Sequence, residues 1–146
     1  MSLSDWVNNG WLQRHSTSPE EIRDLLDIIE RDLQECRIHG LSADWQLSIA
    51  YNAALKCATA ALAATGYRVS REASHYRTIQ SLTFTIKIER ETVDLLDTFR
   101  NKRNITDYDR AGTISQQEAN EIYTLANNLR NQLGSWLQSN HPHLIR

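Results

Sequence analysis

SIAYNAALKCATAALAA, residues 48–64, is the stretch whose reading decides the fold. It contains neither proline nor glycine, and its apolar side chains surround the helix on most faces instead of forming one stripe. A helix of that kind is covered on two or three sides. Its many alanines let neighbouring helix axes come close. The helix begins at Ser42 or Ala43 and runs to Thr65, and Gly66 ends it. The stretch therefore predicts the central helix of an all-α bundle.

The flanking sequence supplies the partners. Ser18-Pro19-Glu20-Glu21 reads as a helix start, with Ser18 as N-cap, Pro19 at the first helical position and Glu21 completing a capping box. From there Ile22, Leu25, Leu26, Ile29, Leu33 and Cys36 recur at helical spacing, and Gly40 is expected to close the helix. Downstream, Tyr67-Arg68-Val69 reads as a short connector, and Ser70 as the cap of a third helix carrying His75, Tyr76, Ile79, Leu82 and Phe84. The β-branched TFTIKI (83–88) alternates like a strand but has no partner in sight, so it is expected to be helical with a kink near Thr85. A fourth helix presents Val93, Leu95, Leu96 and Phe99, and a polar segment, residues 100–113, follows. Ser115-Gln116-Gln117-Glu118 opens a fifth helix with the stripe Ile122, Leu125, Ala126, Leu129, Leu133, Trp136 and Leu137, stopped at Asn140-His141-Pro142. The expected architecture is an up-and-down bundle of about five helices over residues 18–140, with an irregular N-terminal arm (1–17) and a C-terminal tail (141–146). Trp6 and Trp11 in the arm, with Trp136, fit either a dimer surface or the monomer core.

Composition bounds the function classes. The chain has 146 residues and a net charge of −2, so no strong global field draws it to nucleic acid or membrane. MSLSDWVNNGWLQRH, at the N-terminus, has no apolar run like a signal peptide, and no stretch approaches the ~20 apolar residues of a membrane helix, so no membrane partner and a cytoplasmic place are expected. Two cysteines, Cys36 and Cys57, make no disulfide scaffold. On antiparallel helices turning near Gly40 they fall roughly 18 Å apart, at about 1.5 Å rise per residue. Both are expected to be reduced and packed.

Motifs for phosphate loops, CxxC pairs, HExxH and GxSxG are missing, and no cofactor is expected. Glu72-Ala73-Ser74-His75 is a single E-x-x-H, where a di-metal bundle needs two. His141-Pro142-His143 offers two imidazoles with no further ligands nearby. No metal site is expected. Arg100, Lys102 and Arg103 cluster where a helix end is expected, a place that favours cations electrostatically. The same cluster fits a phosphate or RNA contact, although residues 87–110 hold six basic and six acidic side chains.

Three stretches in order resemble the HEPN superfamily of small helical bundles. AYNAALKCATAALAATGYR (50–68) is similar to its AYYA-like second helix ending in glycine. SHYRTIQSL (74–82) is similar to its third helix, which opens with histidine. RNITDY (103–108) falls where the family has Arg-Asn-x-x-x-His. More narrowly, the chain looks like a bacterial HEPN branch with tyrosine ending that motif. The resemblance implies a homodimer whose paired motifs line one cleft. In active relatives the Arg and His cleave RNA without metal, the base taking the 2′-hydroxyl proton and the cation steadying charge on the phosphate. By position Arg103 matches the Arg, Asn104 the Asn, and Tyr108 stands at the His. A tyrosine, with a pKa of about 10, is mostly protonated at neutral pH and a poor base. The resemblance thus implies a non-catalytic domain that binds RNA or nucleotide, or that pairs with a nucleotidyltransferase as in toxin–antitoxin modules; Arg103, Asn104 and Tyr108 hold the positions of the family's catalytic motif, and Arg100, Lys102 and His75 are the candidate binding residues beside it. In such modules Tyr108 would be the adenylylation acceptor. The alternatives are a metal-independent endoribonuclease using Arg103 and a purely structural or interaction domain.

Overall fold

The computed structural model describes residues 1–108 and 112–146, with side chains described except at 106–108. In chain order the elements are α1 (Leu3–Asn8), β1 (Leu12–Arg14), α2 (Pro19–Glu35), α3 (Ala43–Thr65), β2 (Tyr67–Val69), α4 (Ser74–Gln80), α5 (Arg90–Tyr108) and α6 (Gln116–Asn140). The fold is an all-α bundle with one small two-stranded ribbon.

Helix α3 is the hub. It packs against α2, α6, α5 and α4, and Ala50, Tyr51, Ala53, Ala54, Cys57, Ala58, Ala60 and Ala61 are fully buried. It begins at Ser42, whose hydroxyl accepts from the Trp45 amide, and ends at Gly66 at φ 102°. Its 23 residues are long and apolar enough, by length and composition, to cross a membrane, which corrects the expectation that no stretch approaches that limit. Two thirds of the most apolar window (67%) is buried inside the bundle, where an all-round apolar helix belongs. Both cysteines are buried and free, and burial pushes their thiols up, Cys36 to about 11 and Cys57 to about 12.

Helix α2 starts at Ser18 but stops at Glu35, before Gly40, which lies at φ 89° in the following loop. The capping box there is only half formed. The Ser18 hydroxyl accepts from the Glu21 amide at 3.1 Å, while the Glu21 carboxylate turns to the Thr17 hydroxyl at 2.6 Å and to His15 Nε2 at 2.8 Å. The full box forms at Ser115 and Glu118.

The first seventeen residues are ordered, not irregular. Helix α1 has a capping box of Ser2 and Asp5. Strand β1 pairs antiparallel with β2, Leu12 opposite Val69, so the expected connector 67–69 is a strand. Trp6 and Leu12 are buried with Leu62, and Trp6 meets Trp11 and Phe84 edge-on at 5.7 and 5.3 Å. Trp6, Trp11 and Trp136 all pack on the monomer's own hydrophobic clusters. The C-terminal residues also fold back, burying Leu144.

The TFTIKI segment is neither a strand nor a kinked helix. Helix α4 gives way to a 3-10 turn, Ser81–Thr83, and the chain reverses with Lys87 at φ 64° while its amide and that of Ile88 bond the Leu82 carbonyl. Phe84, Ile86 and Ile88 pack on the hydrophobic clusters, but Thr85 is buried as well, at 5% exposure, so burial does not alternate as in a strand.

The Glu21 carboxylate pins β1 to the start of α2, and the Thr17 bond first and the His15 contact next hold its pKa below the usual 4.5, against desolvation. A depressed folded-state value contributes stability above the ordinary carboxylate range and loses it as pH falls through the folded value. Glu21→Gln is therefore expected to lower the urea midpoint at pH 7, and the gap from wild type is expected to be smaller at pH 3. An equal gap at both pH values would contradict this.

Candidate functional site

Helix α5 runs on to Tyr108, into the polar segment 100–113. Its last turn carries no basic residue, so Arg100, Lys102 and Arg103 sit in mid-helix, and the pull of a helix end does not account for them. Arg100 and Arg103, three apart, are neighbours on one face. Phe99, buried beside them, anchors that part of the helix.

The three cations differ in their surroundings. Lys102 forms a close ion pair with Glu118 at the start of α6 and serves to tie the helices. Arg100 Nε bonds Asp97 at 2.7 Å, and its guanidinium lies 5.5 Å from the centre of the Tyr76 ring. The Arg103 guanidinium lies 5.3 Å from the ring centre of Tyr51, on α3. Asn104 is half-buried on α5. The Tyr108 side chain lies outside the described residues, so its place in the site is set only by its position ending α5.

Two cavities open around these groups. One, of about 270 Å³, is lined by Arg103 with Asp32, Trp45, Ser48, Ile49 and Asn52. Trp45 is 62% exposed there. Asp32 is 4% exposed, and its two oxygens accept from Arg31 at 3.1 Å and from the Asn52 amide at 2.7 Å. A buried carboxylate needs such partners. The other cavity, about 470 Å³, is lined by Arg71, Ala73, Ser74, His75, Tyr76 and Arg100. Partial burial, then the charges of Arg103, Lys56 and Arg100, lower the His75 pKa. The imidazole is thus neutral at pH 7 and able to accept a proton. Sequence spacing had no means of bringing His75 into the field of Arg103, twenty-eight positions away; α4 does so by folding back over α3 beside α5.

A third cavity, about 280 Å³, lies towards the other end of α3, between His15, Glu21, Leu25, Leu62, Tyr67 and Val69. It is remote from the cations of α5, its walls are largely aliphatic, and His15 and Glu21 pair with each other. We take it as a seam between ribbon and bundle. Among the described residues no three His, Cys, Asp or Glu side chains converge to hold a metal ion. Glu72, of the E-x-x-H, is exposed at the surface.

Chemically, the α3–α4–α5 face offers guanidinium groups, a neutral imidazole and two exposed aromatic rings. No curated protein and no solved structure matches the chain. The sequence model of the HEPN domain matches residues 22–136. That span runs from the first turn of α2 to the last turns of α6 and takes in every residue lining the two arginine cavities, and by it the chain belongs to the HEPN domain family.

Proposed function

We propose that the α3–α4–α5 face binds single-stranded RNA. Arg103, Arg100 and Arg71 meet phosphates there, and Trp45 and Tyr76 stack on bases. The observation that carries this reading is the pair of exposed rings, Trp45 at 62% and Tyr76 at 42%, placed on either side of the two α5 arginines. Single-strand binders combine cations for the backbone with aromatic platforms for the bases. The near-zero net charge makes this a local site of modest affinity, and its salt dependence is expected to be shallow.

The test is fluorescence anisotropy of a labelled ten-nucleotide single strand, with chelator present. Arg103→Ala is expected to weaken binding about tenfold and to reduce the salt slope by about one. Trp45→Ala is expected to weaken it between about fivefold and a hundredfold. Equal binding by all three proteins would sink the reading, and no binding at all would turn the search to a protein partner such as a nucleotidyltransferase.

A second reading, metal-independent cleavage, draws support from one observation. His75 is a neutral base within the field of Arg103 and Arg100, and could supply the proton acceptor that Tyr108 does not. Product gels on the same samples decide it: cleavage by wild type that His75→Ala abolishes favours this reading over binding alone.

A further inference from the structure

The hydroxyl of Tyr51 has no explanation in the packing. The residue sits in the middle of α3 and is fully buried, and its oxygen, also buried, makes no hydrogen bond among the described residues. A buried hydroxyl without a partner is destabilising. Phenylalanine would fill the same space among the alanines without that loss, so the packing alone does not call for tyrosine.

The surroundings point to a ligand. The Arg103 guanidinium lies over the ring at 5.3 Å and lines the cavity that Trp45 shares. Arg103 and Arg100 are the cations whose charge reaches the phenol, and Asp97 the anion. Burial, more than those charges, sets its pKa at about 12, so the group keeps its proton at neutral pH and can only be approached by an acceptor or a donor, never as an anion. With the Arg103 guanidinium over its ring, the complementary partner is an anionic acceptor.

We propose that Tyr51 is a positioning residue of this face, its hydroxyl donating to an oxygen of the phosphate that Arg103 holds. The inference rests on the RNA-binding reading of the face. The oxygen lies below the surface, and the Arg103 guanidinium covers the ring; a phosphate must draw that guanidinium outward and so open a path to the hydroxyl. An O–H donor to a charged oxygen is stronger than one to a neutral oxygen.

Tyr51→Phe separates this role from a structural one. Binding of inorganic phosphate and of the ten-nucleotide strand would be measured beside thermal unfolding, for wild type, Arg103→Ala and Tyr51→Phe. The expected result is a Tyr51→Phe protein that melts no lower than wild type yet binds both probes about tenfold more weakly. Loss towards the strand alone would place the hydroxyl against a group particular to RNA and overturn the phosphate assignment. A lowered melting temperature with unchanged binding would show a structural hydrogen bond, through a buried water for instance, and overturn the inference. Unchanged melting and unchanged binding would do the same while leaving the RNA reading intact. Wild type that binds neither probe, or that binds no better than Arg103→Ala, would remove the RNA reading and this inference with it. Should Tyr51→Phe not fold, 4-fluorophenylalanine at position 51 keeps the shape without the donor, and failure of both to fold would show the hydroxyl to be structural.

Discussion

Phe99→Ala is expected to cost about 3–5 kcal/mol of stability, the largest effect of any single truncation considered for this protein. The ring is 2% exposed, and it joins the main core where α5 meets α3. Removing it deletes the buried ring and leaves a cavity that neighbours on two helices cannot close, because the alanines of α3 have no length with which to reach in. Against a total of about 5–15 kcal/mol for an ordinary domain, that is a large share, and the melting temperature should fall by roughly 6–20 °C. The functional consequence follows from position. Arg100 and Arg103 follow Phe99 on the same helix, so a loosened α5 blurs the placement of the two guanidinium groups, and RNA affinity should fall although no contacting residue has changed. Urea unfolding followed by circular dichroism measures the first effect and anisotropy the second. A loss below about 1.5 kcal/mol would mean that the core closes around the gap and that α5 is held mainly by its polar contacts.

The second large effect comes from adding volume. Ala54→Leu is expected to destabilise by about 1–3 kcal/mol. Ala54 is fully buried in the helix that touches α2, α6, α5 and α4. Close-packed interiors leave no space for three extra heavy atoms, and a helix held on several sides cannot slide away from one neighbour without pressing on another. The leucine must therefore take a strained rotamer or push axes apart. Urea unfolding decides this also. A midpoint equal to wild type would show that α3 has slack on that face and is not the rigid hub its alanines imply.

The alanine-rich hub and the ends of the long helices were legible because local chemistry decides them. Ser42, Ser115 and Gly66 cap where their side chains or backbone freedom place them. Ser18 behaves the same way, but Glu21 does not complete the box because Thr17 and His15 bind it more closely. That competition depends on β1 lying nearby, which no local pattern announces. The ribbon escaped for the same reason: Gln13 and Arg68 meet across 55 positions, and three-residue strands carry almost no periodic signal. At TFTIKI the expected kinked helix is wrong, because the reversal at Lys87 depends on a positive φ that lysine adopts only under tertiary constraint. The site was half visible. Arg103 and Arg100 stand together because they are three apart on one helix, while His75, Trp45 and Tyr51 reach them only through packing. Charge counting obscured rather than revealed the face, because Asp97 and Glu118 balance the cations on the spot.

The all-round apolar character of α3 has a consequence for the chain as it is being made. Its broadest cover, α6, begins fifty residues after α3 ends. At ribosomal rates of about 5–20 residues per second, roughly 3–10 s separate the two. During that interval α2, and then α4 and α5 as they are made, cover only part of it, and the α6-facing side of a 23-residue segment of membrane-like hydropathy stands open to the translocation machinery and to other nascent chains. Faithful synthesis of this domain therefore depends on what holds that segment until α6 emerges, and slow codons between residues 66 and 115 would be more harmful than the same codons anywhere after it.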